Sequence, residues 1–483
     1  MSIHRLPSCR ARVFRCLLLI VAVSVGLPGP VTAQAQAPTA PAVVTPRPTL
    51  ASAADLPAKV DAYMQAQARV SRFNGVVVVA RDGTPIVSKG YGWANAEWEI
   101  PNTPQTKFRL GSITKQFTAT AVLRLQEQKK LTVQDPICSY LTPCPDLWKP
   151  ISIHHLLTHT SGIPSYTGLP DYQKTMMVPR TIEQMVAVFR DLPLEFAPGE
   201  KFKYNNSGYF LLGVIIEKVA GKKYEDALRD EIFTPLGMND TGYDWAEPLL
   251  PRRAAGYTRK GDTLVNAKPL DMQQPYSAGS LYSTVDDLLK WDQALYSDRV
   301  LPEAARTLMF TPFKDTYAYG WAIQPPERAT SGRLQIGHGG GINGFSTMIT
   351  RVPEDRVTVI VLANVDNVNA GNIARDLMAM TYGLPYQTPT ERTSITVSPV
   401  VLGQYVGRYQ IAPDFILAVT FEDGRLMTQA TGQNKLEVFA ESETKFFLKV
   451  VDAQLTFGKD VEGNVTHVTL HQNGQDRKAP KIP

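Results

Sequence analysis

Two β-hairpin patterns set far apart, with helical sequence between them, constrain this fold more than any other feature. Gly75-Val76-Val77-Val78-Val79-Ala80-Arg81 meets Asp82-Gly83 and resumes as Ile86-Val87-Ser88-Lys89-Gly90-Tyr91, which reads as strand, tight turn and strand. Much later, after strand-like sequence near Leu334, residues 345–350 and 356–362 flank Pro353-Glu354-Asp355, a second hairpin signal, and a helix follows to about Met380. The middle carries helix patterns from Ser112 to about Lys130, from Ser207 to Ala220 with Gly221 past its end, and after Ser283-Thr284 with Asp286 and Asp287 in the first turn. Strands at both ends with helices between predict an α+β fold: one antiparallel sheet built from both parts of the chain, flanked by helices and facing an all-helical insertion.

A chain of 483 residues exceeds one typical core. A Pro- and Thr-rich stretch at 384–400 marks a boundary, and the short alternating segments beyond it predict a small β-barrel or sandwich over 389–483, after a main domain over 56–388. At the other end, Arg5, Arg10, Arg12 and Arg15 precede an apolar run from Cys16 to Leu27, then Pro28, Pro30 and Val31-Thr32-Ala33. That run is shorter than the about 20 residues of a spanning helix, so residues 1–33 read as a cleaved signal peptide and 34–55 as a disordered Ala/Pro/Thr-rich linker. The protein is therefore expected to be periplasmic or secreted, with no membrane span after cleavage.

Removing that segment takes four arginines from a net charge of +5 and leaves a nearly neutral protein, with no basic patch to imply a nucleic-acid or membrane-surface partner. Of the 4 cysteines, Cys138 and Cys144 remain, either closing a small loop as a disulfide or standing as inert thiols. No His or further Cys lies at ligand spacing beside them, so neither a metal nor a cofactor is expected.

Ser112-Ile113-Thr114-Lys115 places a hydroxyl and an amine on one helical face. A serine needs such a neighbouring base to become nucleophilic, and at a helix N-terminus its own N–H could stabilise an oxyanion. A second copy, Ser442-Glu443-Thr444-Lys445, lies in strand-like sequence where the two side chains would not share a face, and shows how readily the motif arises by chance. Tyr204-Asn205-Asn206 precedes a helix start, where a phenol and an amide can enter a cleft. Gly337-His338-Gly339-Gly340-Gly341 follows a strand, and its glycines let a substrate backbone approach, with the Gly341 N–H as a second oxyanion donor. Each element alone has an ordinary reading as cap, buried aromatic or loop.

Ser-x-x-Lys, then Tyr-x-Asn, then His-x-Gly on a late strand resembles the serine β-lactamase and penicillin-binding-protein superfamily, in its class C β-lactamase, D-alanyl-D-alanine carboxypeptidase and esterase branch. Phe108-Arg109-Leu110-Gly111-Ser112, Leu157-Thr158-His159-Thr160-Ser161-Gly162 and Ala278-Gly279-Ser280-Leu281 carry it further, over roughly residues 56–385. The resemblance implies a serine hydrolase acting on D-amino-acid peptides, β-lactams or small esters. Ser112 would form an acyl-enzyme, Lys115 and Tyr204 would share proton transfer, and Asn206, His338, Gly340 and Gly341 would hold substrate. Tyr204 would need a phenolate favoured by a Lys115 cation. The branch usually carries Lys-Thr-Gly where His338-Gly339-Gly340 stands, which disfavours strong β-lactam turnover and leaves a carboxylesterase as the alternative, with a non-catalytic envelope binding protein as another. The last segment resembles the lipocalin-like barrel appended to some members, with no residue in it expected to be catalytic, and the oligomeric state is not readable.

Overall fold

The structure is a computed structural model that describes residues 48–483 apart from 262, 450–452 and 473–474. The signal-peptide segment 1–33 and the linker up to residue 47 lie outside the described residues. The chain is already tied down at the start of the described part, where the Arg333 guanidinium donates to Pro48 O at 3.0 Å and Ala51 N–H donates to Thr381 O at 2.9 Å.

Five helices and six strands frame the main domain: α1 (Leu56–Val70), β1 (Gly75–Arg81), β2 (Thr84–Tyr91), α2 (Thr114–Glu127), α3 (Asn206–Ala220), α4 (Val285–Ala294), β3 (Ala322–Gln324), β4 (Gln335–Ile342), β5 (Phe345–Val352), β6 (Val357–Ala363) and α5 (Ala370–Thr381). The strands form one antiparallel sheet in the order β3-β4-β5-β6-β1-β2. The N-terminal hairpin is thus zipped onto the late strands, with Val77 opposite Val361 and Val79 opposite Val359.

The unbroken apolar runs of β1 and β6 follow from burial on both faces. Val76, Val78, Ile360 and Leu362 point into a core with Phe117, Phe210 and Trp291 of α2, α3 and α4. Val77, Val79, Val359 and Val361 point the other way, against Tyr63 and Met64 of α1 and Leu377 of α5. Period-two alternation therefore fills two layers from the same strands.

The helices begin and end where the sequence chemistry puts them. Thr284 accepts the Asp287 N–H as N-cap of α4, Asn205 accepts the Gly208 N–H at 2.8 Å as N-cap of α3, and α3 stops at Gly221 with φ 66°. The expected helix from Ser112 opens with a 3₁₀ turn, Gly111–Ile113, before α2 proper. Cys138 and Cys144 are joined as a disulfide, with Cα atoms 5.4 Å apart.

Eight further strands, β7 (Gly407–Ala412), β8 (Phe415–Glu422), β9 (Arg425–Ala430), β10 (Leu436–Ala440), β11 (Lys445–Phe447), β12 (Ala453–Lys459), β13 (Val465–Gln472) and β14 (Gln475–Ile482), close into a barrel. Tyr409 opposite Lys481 joins its first and last strands. Its interior is packed with Tyr405, Tyr409, Phe446, Phe457 and Val468, and Tyr405 stacks on Phe457 at 4.3 Å between ring centroids.

Candidate active site

The site lies where the 3₁₀ turn before α2 meets the edge of β4. Gly111 has φ 56°, and a Cβ there would stand 3.0 Å from the Gly341 nitrogen, so the turn needs a glycine both for its backbone and for the strand pressed against it. Gly340 is tighter still: a Cβ would fall 1.9 Å from Leu110 O and 2.3 Å from Thr347 Oγ1. The Thr347 hydroxyl donates to Leu110 O at 2.8 Å and pins the turn to the sheet. β3 pairs with β4 only up to Gly337, so residues 338–342 present an edge without a β3 partner.

Within this frame the predicted residues converge. Lys115 Nζ stands 3.1 Å from Ser112 Oγ, 2.8 Å from Asn206 Oδ1 and 2.9 Å from Ala278 O, and the side chain is fully buried. Burial pushes the amine well below its ordinary value. Asn206 Oδ1 and Ala278 O can only accept and each takes an N–H from Nζ, and the Ser112 hydroxyl completes the set, accepting from a charged Nζ or donating to the lone pair of a neutral one. The Ser112 N–H lies in the first turn of the helix, where backbone N–H groups lack intrahelical partners as a rule.

Tyr204 covers this pair, with its ring centroid 4.9 Å from Lys115 Nζ. The residue exposes 38% of its surface, yet its hydroxyl is turned inward to the Ser112 side chain. Burial pushes the phenol up, and Ser112 pulls it only partly back. Desolvation thus works against both charges of the expected Lys115 cation and Tyr204 phenolate, lowering the amine and raising the phenol.

Asn206, expected to hold substrate, also contacts the lysine. Its Oδ1 accepts from Lys115, its Nδ2 donates to Thr167 Oγ1 at 3.0 Å, and its backbone N–H donates to Ser165 Oγ at 3.1 Å. His338 is 7% exposed and holds neither nitrogen free: Nδ1 is 2.6 Å from Gly339 O and Nε2 is 2.9 Å from Tyr317 Oη. Burial first, and Lys115 second, depress it to about 4.

Ser165, Thr167 and Tyr317 carry no sequence signal that assigns them to the site, and His159 and Ala278 carry none beyond the family resemblance of their segments. His159 accepts the Asn205 N–H on Nδ1 at 3.1 Å, its carbonyl accepts from Lys203 N–H at 2.9 Å, and its ring lies 4.3 Å from that of Tyr204. It braces the Tyr204 turn, a structural role. Ala278 lies in one of the segments that carry the family resemblance, but a backbone acceptor and a lone Tyr317 leave no pattern of their own. Behind β4, on the α1 and α5 side, a cleft of about 1080 Å³ reaches from Gly339 and Gly340 to the barrel residues Phe447 and Gln454. Among the described residues no His/Cys/Asp/Glu group has metal-binding geometry.

The comparisons with known proteins agree with this architecture. A family model described as Beta-lactamase matches residues 58–379, and one described as Domain of unknown function (DUF3471) matches residues 391–479. The chain is 31% identical over 439 residues to a penicillin-binding protein of Bacillus subtilis (strain 168), covering 84% of this chain and 95% of that protein. It is 30% identical over 338 residues to the teichoic acid D-alanine hydrolase of Staphylococcus aureus, covering 68% of this chain and 79% of that one. A solved octameric penicillin-binding protein homologue from Pyrococcus abyssi superposes with a TM-score of 0.61 at 27% identity, over 87% of this chain and 99% of the other. With a sheet, a helical insertion and a matched span that all agree, the chain belongs to the beta-lactamase family and is a serine hydrolase of the beta-lactamase and penicillin-binding-protein superfamily.

Proposed function

We propose that the protein is an exported hydrolase that forms an acyl-enzyme on Ser112 and acts on D-amino-acid peptides, β-lactams or small esters. The observation that carries this reading is the environment of Lys115, a fully buried amine with two obligate acceptors and the Ser112 hydroxyl as its third partner. Ser112 Oγ attacks the acyl carbon as its proton passes to Lys115 Nζ. The oxyanion is held by the N–H groups of Ser112 and Gly341. The bond to the leaving group then breaks, Tyr204 gives the leaving atom its phenol proton, and Lys115 restores it. Water, losing a proton to the same pair, attacks the ester carbon; Ser112 Oγ leaves with that proton and a carboxylic acid is released.

Two relatives support the substrate range through their names, one a penicillin-binding protein and one a teichoic acid D-alanine hydrolase. Export is supported by the arginine-rich start and apolar run, and no helix among the described residues is long and apolar enough to cross a membrane. Cell fractionation with a C-terminal tag tests it, and retention of full-length chain in the cytosol contradicts it. The engaged, uncharged His338 favours the ester alternative over efficient β-lactam turnover.

Intact-mass spectrometry after a fluorophosphonate or penicillin should show a single adduct that Ser112→Ala removes. An adduct that survives this change would overturn the assignment. Turnover of p-nitrophenyl acetate against nitrocefin then ranks the acyl donors.

A further inference from the structure

His338 projects from β4 on the same face as Gly340, two residues on, and therefore toward the turn that carries Ser112. Its ring centroid is 6.2 Å from that of Tyr204, so it lines the site at close range. Gly339 O can only accept, so Nδ1 carries the ring's proton and Nε2 is left to accept the Tyr317 phenol hydrogen. Tyr317 is itself buried, with His159 at 4.6 Å, Phe202 at 5.6 Å and Tyr204 at 6.2 Å between ring centroids, so this cap cannot swing aside cheaply. Burial holds its phenol protonated and keeps His338 neutral. The titratable groups about His338 are Lys115 from α2, Tyr204 from the turn before α3, His159 and Tyr317. Lys115 is committed to three other partners.

A carboxylate drawn into such a site loses its water and gains no cation in return, which is costly. We infer that Tyr317 is a specificity-determining residue: by capping His338 Nε2 it makes the site select acyl donors with no free carboxylate beside the scissile bond, such as esters and amidated peptides, over peptides that end in a free D-amino acid. This rests on the assignment of Ser112 as nucleophile.

The test uses N-acetyl-D-Ala-D-Ala and its C-terminal amide, which differ only in that carboxylate, as protectants of Ser112 against fluorophosphonate labelling, and compares kcat/KM for the two. The amide should protect at a concentration at least ~10-fold lower than the acid, a difference of about 1.4 kcal/mol. Tyr317→Phe should narrow that ratio, because Nε2 is then free to take a proton and pair with the carboxylate, whereas the wild-type ratio should stay flat between pH 6 and pH 8. Equal protection, protection by neither, or stronger protection by the acid overturns the inference, as does a Tyr317→Phe change that moves both ligands by one factor at every pH. Failure of Ser112 to label at all would instead overturn the nucleophile assignment.

Discussion

The two Ser-x-x-Lys segments of this chain are identical in spacing and opposite in physics. At Ser112 the three-residue step is taken on a helix, which brings Lys115 Nζ to 3.1 Å from the hydroxyl, and the lysine is sealed from water. At Ser442 the same step turns a corner into β11. There the hydroxyl accepts the backbone N–H groups of Thr444 at 3.3 Å and Lys445 at 3.0 Å, and the Lys445 side chain is exposed. One serine faces an amine whose basicity burial has changed; the other caps a turn. Spacing supplies the atoms, and the surroundings decide whether they react.

The sharpest way to break this contrast is to remove each hydroxyl. Ser112→Ala should cost at least ~10³-fold in kcat on any ester the wild type hydrolyses, as loss of a nucleophile does. A smaller loss would place the chemistry elsewhere. Next in size is the glycine frame that only the first segment possesses. Gly340→Ala drives a methyl group against Leu110 O, so β4 must move away from the Gly111 turn. A drop on the order of 10²-fold in kcat/KM with an unchanged circular dichroism spectrum is expected, because displacements of about 1 Å have that cost.

Acidity offers a third handle. His338 and His154 are both held to about 4 by burial, so the folded protein refuses protons that the unfolded chain accepts from about 6.5 downward. The stability they contribute is complete above that pH and is lost as pH falls toward about 4. Tm measured across this window should decline. His338→Asn, which keeps a polar side chain, should make the decline shallower, and an identical slope would mean that His338 is not held neutral by burial. The smallest effect belongs to the second segment: Ser442→Ala should leave kcat unchanged and cost within about 0.5–2 kcal/mol by urea unfolding, the range for losing a cap.

Much of this architecture is legible in the amino-acid sequence. The apolar runs of β1 and β6 announce strands, and Ser207, Thr284 and Gly221 place helix ends to within a residue or so, with Asn205 as the cap that the structure adds. The convergence of Ser112, Lys115, Tyr204 and His338 is legible only through order and resemblance, since no local pattern links residues so far apart. Tyr317 is invisible in sequence, and Ala278 stands out only as part of a resembling segment, because their roles depend on which atoms the fold brings near His338 and Lys115. The effect of burial is hidden for a related reason: a lysine set against a tyrosine implies cation and phenolate, whereas burial raises the cost of both.

Sequence by itself determined the alternation that builds the sheet, the glycines without which β4 could not meet the Gly111 turn, and the supply of a hydroxyl, an amine and a phenol. Only the tertiary structure decided which Ser-x-x-Lys is sealed from water, that burial lowers the Lys115 amine, and that His338 is already spent on Tyr317. The division has one physical reason. Conformation along the chain is set by neighbours in sequence, while protonation and reactivity are set by the solvent that distant parts of the chain exclude.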